Sequence, residues 1–278
     1  MTTTPTALRH SVDLAAVYIV WQRELIRFLR TKTRIVTGLV QPILFLFVLG
    51  VGLTPLVGTA GNLDFTKFVF PGVVAMSVLT TAIFSAVSIV WDREFGFLRE
   101  MLVAPVRRGA IITGKALGGT TVATIQGAIM LVFAPAVGLR ITPRLVLEVL
   151  AASALMAFGL TGFGIFVASR VARMESFQMV MQFLLFPMLF LSGALFPLEG
   201  LPGWLAFLTR LNPVTYAVDP IRRVVLAGQG LAPEAFSRFG SGVSLFGRTL
   251  DIGWELAITF AFGATFLVAS IRAFGRLE

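Results

Sequence analysis

Six long runs of apolar residues alternate with shorter polar segments along the chain. Each run holds about 20 residues or more, the length that an α-helix needs to cross a hydrocarbon core of about 30 Å. The pattern therefore predicts an all-α, polytopic membrane protein with six transmembrane helices. The predicted spans are residues 35–57, 68–90, 116–139, 145–169, 178–198 and 252–271.

The segment before the first span, residues 11–34, is amphipathic at the period of a helix. One face is apolar and includes Trp21, and the opposite face carries a row of arginines. Such a pattern is typical of a helix that lies in the membrane surface. Lipid anchoring alone explains it, and so does anchoring combined with contact to a cytoplasmic partner. The candidate residues of this helix are Trp21, Arg23, Arg27 and Arg30.

A second amphipathic segment, predicted as a helix over residues 92–104, lies in the charged loop between the second and third spans. At 100° per residue its apolar face holds Trp91, Phe95, Leu98 and Leu102, and its water-facing side holds Asp92, Arg93, Gly96, Arg99 and Glu100. Pro105 then ends the helix. Such a helix can transmit the motion of a soluble partner to the spans, or it can simply anchor the loop among lipid headgroups.

Lys and Arg residues are unevenly divided between the two sides of the predicted membrane. Fifteen of the 23 lie in residues 1–34, in the 91–115 loop, after the fourth span and after the last span. The other eight lie on the opposite side, five of them in one long loop. Because short cytoplasmic loops carry the excess of basic residues, this bias places both termini and the 92–104 helix in the cytoplasm. The expected location is the plasma membrane, in bacteria the inner membrane.

Polar positions inside the spans offer two interpretations. Ser77, Thr81, Ser85 and Ser88 form one stripe of the second span, which favours close helix packing over the lining of a substrate path. On the fifth span, Gln182 is followed by several phenylalanines, and Pro187 predicts a kink near the middle of that helix. The candidate pathway residues are Ser77, Thr81, Ser85, Gln182, Phe186 and Phe190.

The segment between the last two spans, residues 199–251, is the other unusual region. Its apolar stretch is too short to cross the membrane, and it is divided into pieces at Pro202, Asn212-Pro213 and Asp219-Pro220. Short re-entrant helices at the extracellular side fit this pattern, because backbone at that depth must be buried in protein.

Composition supports a membrane protein and narrows its chemistry. The chain has 278 residues, of which 56% are hydrophobic and 13% charged, whereas soluble domains carry about 25% charged residues. The net charge of +9 comes from loops between spans and does not indicate nucleic-acid binding. With no Cys and no His within a span, neither thiol chemistry nor a metal site is expected.

ATP chemistry is also not expected on this chain. The segment from Gly109 to Lys115 resembles the start of a phosphate-binding loop, but Ala116 stands where that motif needs Ser or Thr. An amphipathic helix and a proline precede it, where the motif needs a strand. A membrane-embedded enzyme fits poorly, because the catalytic motifs of such enzymes are absent from the sequence. A proton-coupled transporter normally needs ionisable groups in mid-membrane, and here the carboxylates nearest the core, Glu148 and Glu255, lie close to span ends.

One long motif carries a family resemblance. The run LSGALFPLEGLPGWLAFLTRLNPVTYAVDPIRRVVLAG, from Leu191 to Gly228, resembles the signature of the ABC transporter type-2 permease family. The resemblance is to membrane subunits of the daunorubicin-resistance and nodulation-factor exporter kind. The residues that match are Ser192, Gly193, Phe196, Pro197, Leu201, Pro202, Asn212, Pro213, Tyr216 and Arg222.

The resemblance implies an organisation for the whole chain. Residues 1–34 would form a cytoplasmic tail and connecting helix, and residues 35–278 a type-2 ABC transmembrane domain. Two copies, or this chain and a close paralogue, would pair above two separate ATPase subunits that bind ATP and Mg. The implied ATPase-coupling residues are Asp92, Arg93, Phe95, Leu98, Arg99 and Glu100, and the implied extracellular gate consists of Phe196, Pro197, Asn212, Pro213 and Tyr216.

The implied function is that of a permease subunit of an ATP-driven exporter. Its expected cargo is an amphipathic drug, lipid or glycolipid, as in multidrug or antibiotic resistance. A polysaccharide or glycoconjugate exporter of the same family is an alternative. An importer, a channel and a membrane-embedded enzyme are alternatives of other classes.

Overall fold

The computed structural model describes residues 6–52, 65–96, 106–196, 198, 201–229, 244–245 and 248–275. These residues form ten α-helices and very little other regular structure. The helices are α1 (Thr6–Arg30), α2 (Lys32–Phe45), α3 (Phe65–Ser85), α4 (Val87–Glu94), α5 (Arg108–Leu131), α6 (Pro143–Arg170), α7 (Met174–Phe190), α8 (Gly203–Leu211), α9 (Thr215–Ala227) and α10 (Ile252–Gly275). A π-helical turn (Leu46–Val51) extends α2, a 3₁₀ turn (Ala134–Val137) follows α5, and β1 (Ser244–Leu245) pairs antiparallel with β2 (Arg248–Thr249).

Four helical segments among the described residues are long and apolar enough to cross a membrane. They are Lys32–Gly50, Phe65–Glu94, Pro143–Arg170 and Ile252–Phe274. The all-helical, multi-pass prediction is therefore confirmed, while the number of six spans stays a prediction. Helices also occupy the other two predicted spans, but α5 begins eight residues before residue 116 and α7 ends at Phe190. Pro187 accordingly lies in the last turn of α7 rather than near its middle.

The core of the molecule runs along α3. Every residue from Phe68 to Leu79 is buried, because α2, α5, α6, α7 and α9 all pack around this helix. A helix that is apolar on all sides is typical of such a central position. The buried hydroxyl of Ser77 shows that part of the predicted polar stripe lies inside this packing.

Small residues let α6 and α10 approach closely. A Cβ added at Gly162 would lie 3.0 Å from the carbonyl oxygen of Gly263, and one added at Gly263 would lie 2.8 Å from the Cα of Gly159. Backbone contact of this kind is the usual role of glycine between membrane helices. Gly159 and Gly162 on α6 therefore serve as packing residues against α10.

The segment between α7 and α10 contains the short helices α8 and α9. The predicted break at Asn212 and Pro213 is present, since α8 ends at Leu211 and α9 begins at Thr215. The break predicted at Pro220 was wrong, because Pro220 is a buried residue inside α9. A single proline removes one backbone donor, and the packing of α9 on α3, α6 and α10 outweighs that cost.

Candidate functional site

Four charged side chains from three helices meet at one end of the bundle, and we call them the charge quartet: Arg23 and Glu24 on α1, Asp92 on α4 and Lys115 on α5. The Nζ atom of Lys115 lies 2.6 Å from Oδ2 of Asp92 and 3.4 Å from Oε1 of Glu24. The Nη2 atom of Arg23 lies 2.9 Å from the same Asp92 oxygen. The quartet therefore ties the N-terminal helix to the end of the second predicted span and to the start of the third.

Burial makes the quartet energetically important. The side chains of Lys115 and Asp92 are each only 2% exposed, and Lys115 also donates to the hydroxyl of Ser88 at 3.1 Å. Charges removed from water are tolerated only when they are paired and hydrogen-bonded. Two cations and two anions satisfy this condition together. Burial lowers the pKa of Arg23, but Asp92 and Glu24 outweigh that effect and raise the pKa above its usual value.

The position of Asp92 differs from the sequence-based prediction, which placed it on the water-facing side of a helix over residues 92–104. Asp92 belongs instead to the last turn of α4 and is buried, while Trp91 and Phe95, predicted to be apolar contacts, are 39% and 59% exposed. The helix ends at Glu94, and Gly96 adopts a φ of 82°. The helical period correctly separated an apolar face from a charged face. The charged face, however, packs against the bundle, because Asp92 pairs with the buried Lys115.

The other two charged residues of this turn hold the junction of α6 and α7. Arg93 donates to the carbonyl oxygens of Ser169 at 3.3 Å and Val171 at 3.2 Å, which lie at the C-terminal end of α6. Glu94 accepts a hydrogen bond at 3.1 Å from the backbone N–H of Met174, the first residue of α7. These bonds satisfy backbone groups that a helix end leaves without partners.

The chain returns to the bundle through a second set of polar contacts. Arg107 donates its backbone N–H to Asp13 of α1 at 3.1 Å and forms an ion pair with the same carboxylate. Arg108 donates to the carbonyl oxygen of Phe274 on α10 at 2.9 Å. The segment 97–105, which includes the predicted coupling residues Leu98, Arg99 and Glu100, lies outside the described residues. Both of its flanks are thus bonded to other helices.

The predicted connecting-helix residues divide into two groups. Trp21 donates its indole N–H to the hydroxyl of Thr121 on α5 at 3.0 Å, so Trp21 and Arg23 both face the bundle. Arg27 and Arg30 are exposed, as expected for the polar face of this helix. The shared orientation of Trp21 and Arg23 toward the bundle was not visible in the helical period alone, which placed them on opposite faces.

The predicted pathway residues do not form one surface in this chain. Ser77 is buried within the bundle, and Thr81 and Ser85 are half-buried on the same helix. Gln182, Phe186 and Phe190 lie instead on the exposed side of α7. The two groups therefore belong to different environments of the isolated chain.

The predicted gate residues that the structure describes form mainly hydrogen bonds that hold neighbouring helices together. Asn212 donates to the carbonyl oxygen of Met188 at 2.7 Å and accepts from the N–H of Val214 at 3.2 Å. Tyr216 donates to the carbonyl oxygen of Arg210 at 2.7 Å, and burial raises its pKa. These bonds connect α7, α8 and α9 around a tight turn. Phe196 is half-buried against the core, and Pro197 lies outside the described residues.

Sequence reasoning did not assign a role to several residues that this region depends on. They are Glu24, Glu94, Arg107, Arg108 and Lys115. One signal was available: Lys115 is a lone cation among the small and apolar residues that follow the start of α5. A charge in that setting predicts a buried partner.

Comparison with known proteins gives consistent matches. The sequence profile described as ABC-2 type transporter matches residues 15–226. The chain is 29% identical over 250 residues to the protein named transport permease ycf38 of Cyanophora paradoxa, an alignment that covers 88% of this chain and 84% of the relative. It is 31% identical over 210 residues to nodulation protein J of Rhizobium leguminosarum bv. trifolii, covering 74% and 80%. It is 32% identical over 176 residues to the multidrug ABC transporter permease YbhR of Escherichia coli (strain K12), covering 61% and 46%.

Proposed function

This chain belongs to the ABC-2 type transporter family, and on that premise we propose that it exports an amphipathic drug, lipid or glycolipid across the plasma membrane. It is a membrane permease subunit of an ABC transporter. In our proposal ATP and Mg bind a separate ATPase subunit, and this chain hydrolyses no ATP. The relative whose name includes multidrug transport supports a drug-like cargo.

The fastening of both flanks of segment 97–105 is the observation that carries this proposal. An ATPase that moves this segment would pull on Asp92, Arg93 and Glu94 at one flank and on Arg107 and Arg108 at the other. Those residues contact α1, α5, α6, α7 and α10. Because the contacts are charged or capping bonds, a displacement of the segment changes the ends of several helices together.

The exposed side of α7 supports a paired assembly. Gln182 lies there beside Phe183, Phe186 and Phe190. An amide that faces hydrocarbon has no partner, so polar residues of membrane helices usually face another helix or an aqueous path. We propose that a second copy, or a close paralogue, covers this side, and that cargo passes between the two copies toward the gate near Asn212 and Tyr216.

The test is reconstitution in vesicles with the candidate ATPase. We expect ATP turnover and accumulation of an amphipathic dye only when both proteins are present. The isolated chain should show neither activity. Robust ATP turnover by this chain alone would contradict the assignment, and ATP-independent dye flux would favour a channel.

A single variant tests whether the α4 turn transmits the motion. Arg93→Ala removes two charge-assisted hydrogen bonds to the α6 end, each worth about 1.5–3 kcal/mol. We expect transport per ATP hydrolysed to fall roughly tenfold, which is about 1.4 kcal/mol, while membrane insertion is unchanged. Arg170→Ala is the matched control, because Arg170 is an exposed arginine at the same end of α6. Equal transport efficiency in both variants would remove the α4 turn from the coupling route.

Topology can be tested in the same chain because it has no cysteine. If both termini are in the cytoplasm, Phe95 lies on the cytoplasmic side of the membrane. Ile141, between α5 and α6, then lies on the external side. An impermeant maleimide applied to intact cells should label Ile141→Cys and leave Phe95→Cys unlabelled until the cells are opened. Both side chains are exposed in the folded chain, so accessibility alone does not decide the result. Labelling in the opposite order would reverse the proposed orientation.

A further inference from the structure

A large groove opens between α6, α9 and α10, away from the charge quartet. Its volume is about 980 Å³, which is at the upper end of the range for small-molecule sites. The walls are mostly apolar, and charged residues gather at one end. The lining includes Arg144, Glu148, Ala151, Phe158, Arg223 and Asp251.

The groove has the depth of one membrane leaflet. Along α6 its lining passes from Glu148 through Ala151 and Leu155 to Phe158, which keeps to one face of the helix. Ten residues at 1.5 Å each give about 15 Å, half of a hydrocarbon core of about 30 Å. Both α6 and α10 are long and apolar enough to span the membrane. A groove between them at this depth would be filled by an acyl chain, because an empty one forfeits dispersion contacts.

The charged end of the groove carries both signs. Arg144, whose side chain is 88% exposed, forms an ion pair with Glu148 at 2.7 Å. Arg223 is held by Glu255 at 3.0 Å and donates to the carbonyl oxygen of Leu250 at 2.8 Å. Asp251, at the start of α10, completes the lining charges. Two guanidinium groups and two carboxylates line the groove, so its entrance offers partners for both a phosphate and an ammonium.

We propose that this groove binds one zwitterionic phospholipid of the phosphatidylethanolamine type, from the leaflet at the Pro143 end of α6. The acyl chain lies along Ala151, Leu155 and Phe158, and the headgroup lies among the four lining charges. An anionic lipid is a poorer fit, because Asp219 and Glu255 lie directly behind Arg223 and add negative charge. The site requires only that α6 and α10 span the membrane, so it is independent of the proposed export activity.

The experiment measures which lipid the purified chain retains. The protein is reconstituted in vesicles of equal parts phosphatidylethanolamine and phosphatidylglycerol with identical acyl chains, extracted in mild detergent and weighed by native mass spectrometry. We expect one phosphatidylethanolamine per chain, retained about tenfold over phosphatidylglycerol, a difference of about 1.4 kcal/mol. Equal retention, a preference for phosphatidylglycerol, or a non-phospholipid amphiphile in its place would overturn the proposal.

Matched variants separate the groove from general lipid contact. Ala151→Trp fills the groove from an exposed position and should reduce retention about tenfold. Leu147→Trp, one turn earlier on a side chain that is 70% exposed and does not line the groove, should leave retention unchanged. An equal effect of the two tryptophans, or none from Ala151→Trp, contradicts a specific site.

The headgroup assignment is tested by exchanging charges. Arg144→Glu removes a cation from the entrance and should reduce retention about fivefold. The double variant Arg144→Glu with Glu148→Arg keeps both charges and should restore retention to within about twofold. Thermal unfolding of each variant confirms that the bundle is intact. Unchanged retention in the single variant would overturn the role of the charged entrance.

Discussion

Replacing Lys115 by methionine is expected to destabilise the folded permease by about 3 kcal/mol, at the lower end of the range for breaking a buried ion pair. The substitution keeps most of the side-chain volume but leaves Asp92 and Glu24 with Arg23 as the remaining cation of the quartet. Two buried carboxylates would then share one guanidinium. The thermal midpoint in detergent micelles should fall clearly below that of the unaltered chain. Lys32→Met is the control, because Lys32 is exposed at the start of α2.

A second substitution should recover the stability. Asp92→Asn combined with Lys115→Met removes one charge of each sign and leaves Arg23 beside Glu24, 3.5 Å apart. The double variant should unfold within about 1.5 kcal/mol of the unaltered chain, which a double-mutant cycle would record as strong coupling. Transport by both the single and the double variant should be low, because the ion pairs that connect α1, α4 and α5 through Lys115 are missing in each. Normal transport in the double variant would mean that the quartet stabilises the fold and does not transmit motion.

Adding one methyl group at Gly72 is expected to have a comparably large effect. A Cβ at this position would lie 1.7 Å from the carbonyl oxygen of Ala194 and 2.5 Å from its carbonyl carbon. Those atoms are backbone, and the turn that holds them is fixed by Arg222, which donates to the carbonyl oxygen of Gly193 and whose guanidinium lies 4.5 Å from the ring centroid of Phe68. We expect Gly72→Ala to cost about 3 kcal/mol, the upper part of the range for overpacking.

The control for this variant lies in the same region. A Cβ at Gly203, the first residue of α8, meets nothing within 4 Å. Gly203→Ala should therefore be neutral or stabilising by up to about 1 kcal/mol, as for a glycine removed from a helix. Thermal unfolding of both variants decides the matter. If Gly72→Ala melts with the unaltered chain, the close approach of α3 to the turn after α7 is wrong.

The helices were predictable from sequence because hydropathy and period are local properties. Runs of apolar residues identified the apolar segments that include α3, α6 and α10, and prolines and the Asn212 position marked the end of α8. The ends of α5 and α7 were less accurate. Polar and small residues near Lys115, at the start of α5, and near Ser192, after the end of α7, do not indicate where a helix ends relative to the membrane surface.

The charge quartet was not predictable by the same means. Its members come from three segments, and Asp92 is 69 residues from Arg23 and 23 residues from Lys115. A charged residue judged from its neighbours alone is assigned to water, since an unpaired charge is costly anywhere else. Only the fold brings Lys115 to Asp92 and reverses that assignment.

The long separations within the quartet also bear on how the protein is made. Glu24 is 91 residues ahead of Lys115, so α1 leaves the ribosome before α4 and α5 do. When α1 emerges, neither of the partners that hold it, Asp92 and Lys115, has been synthesised. The order of synthesis therefore differs from the order of assembly: α1 is translated before α4 and α5, but it reaches its final packing only after the insertion of α4 and α5 has delivered both partners.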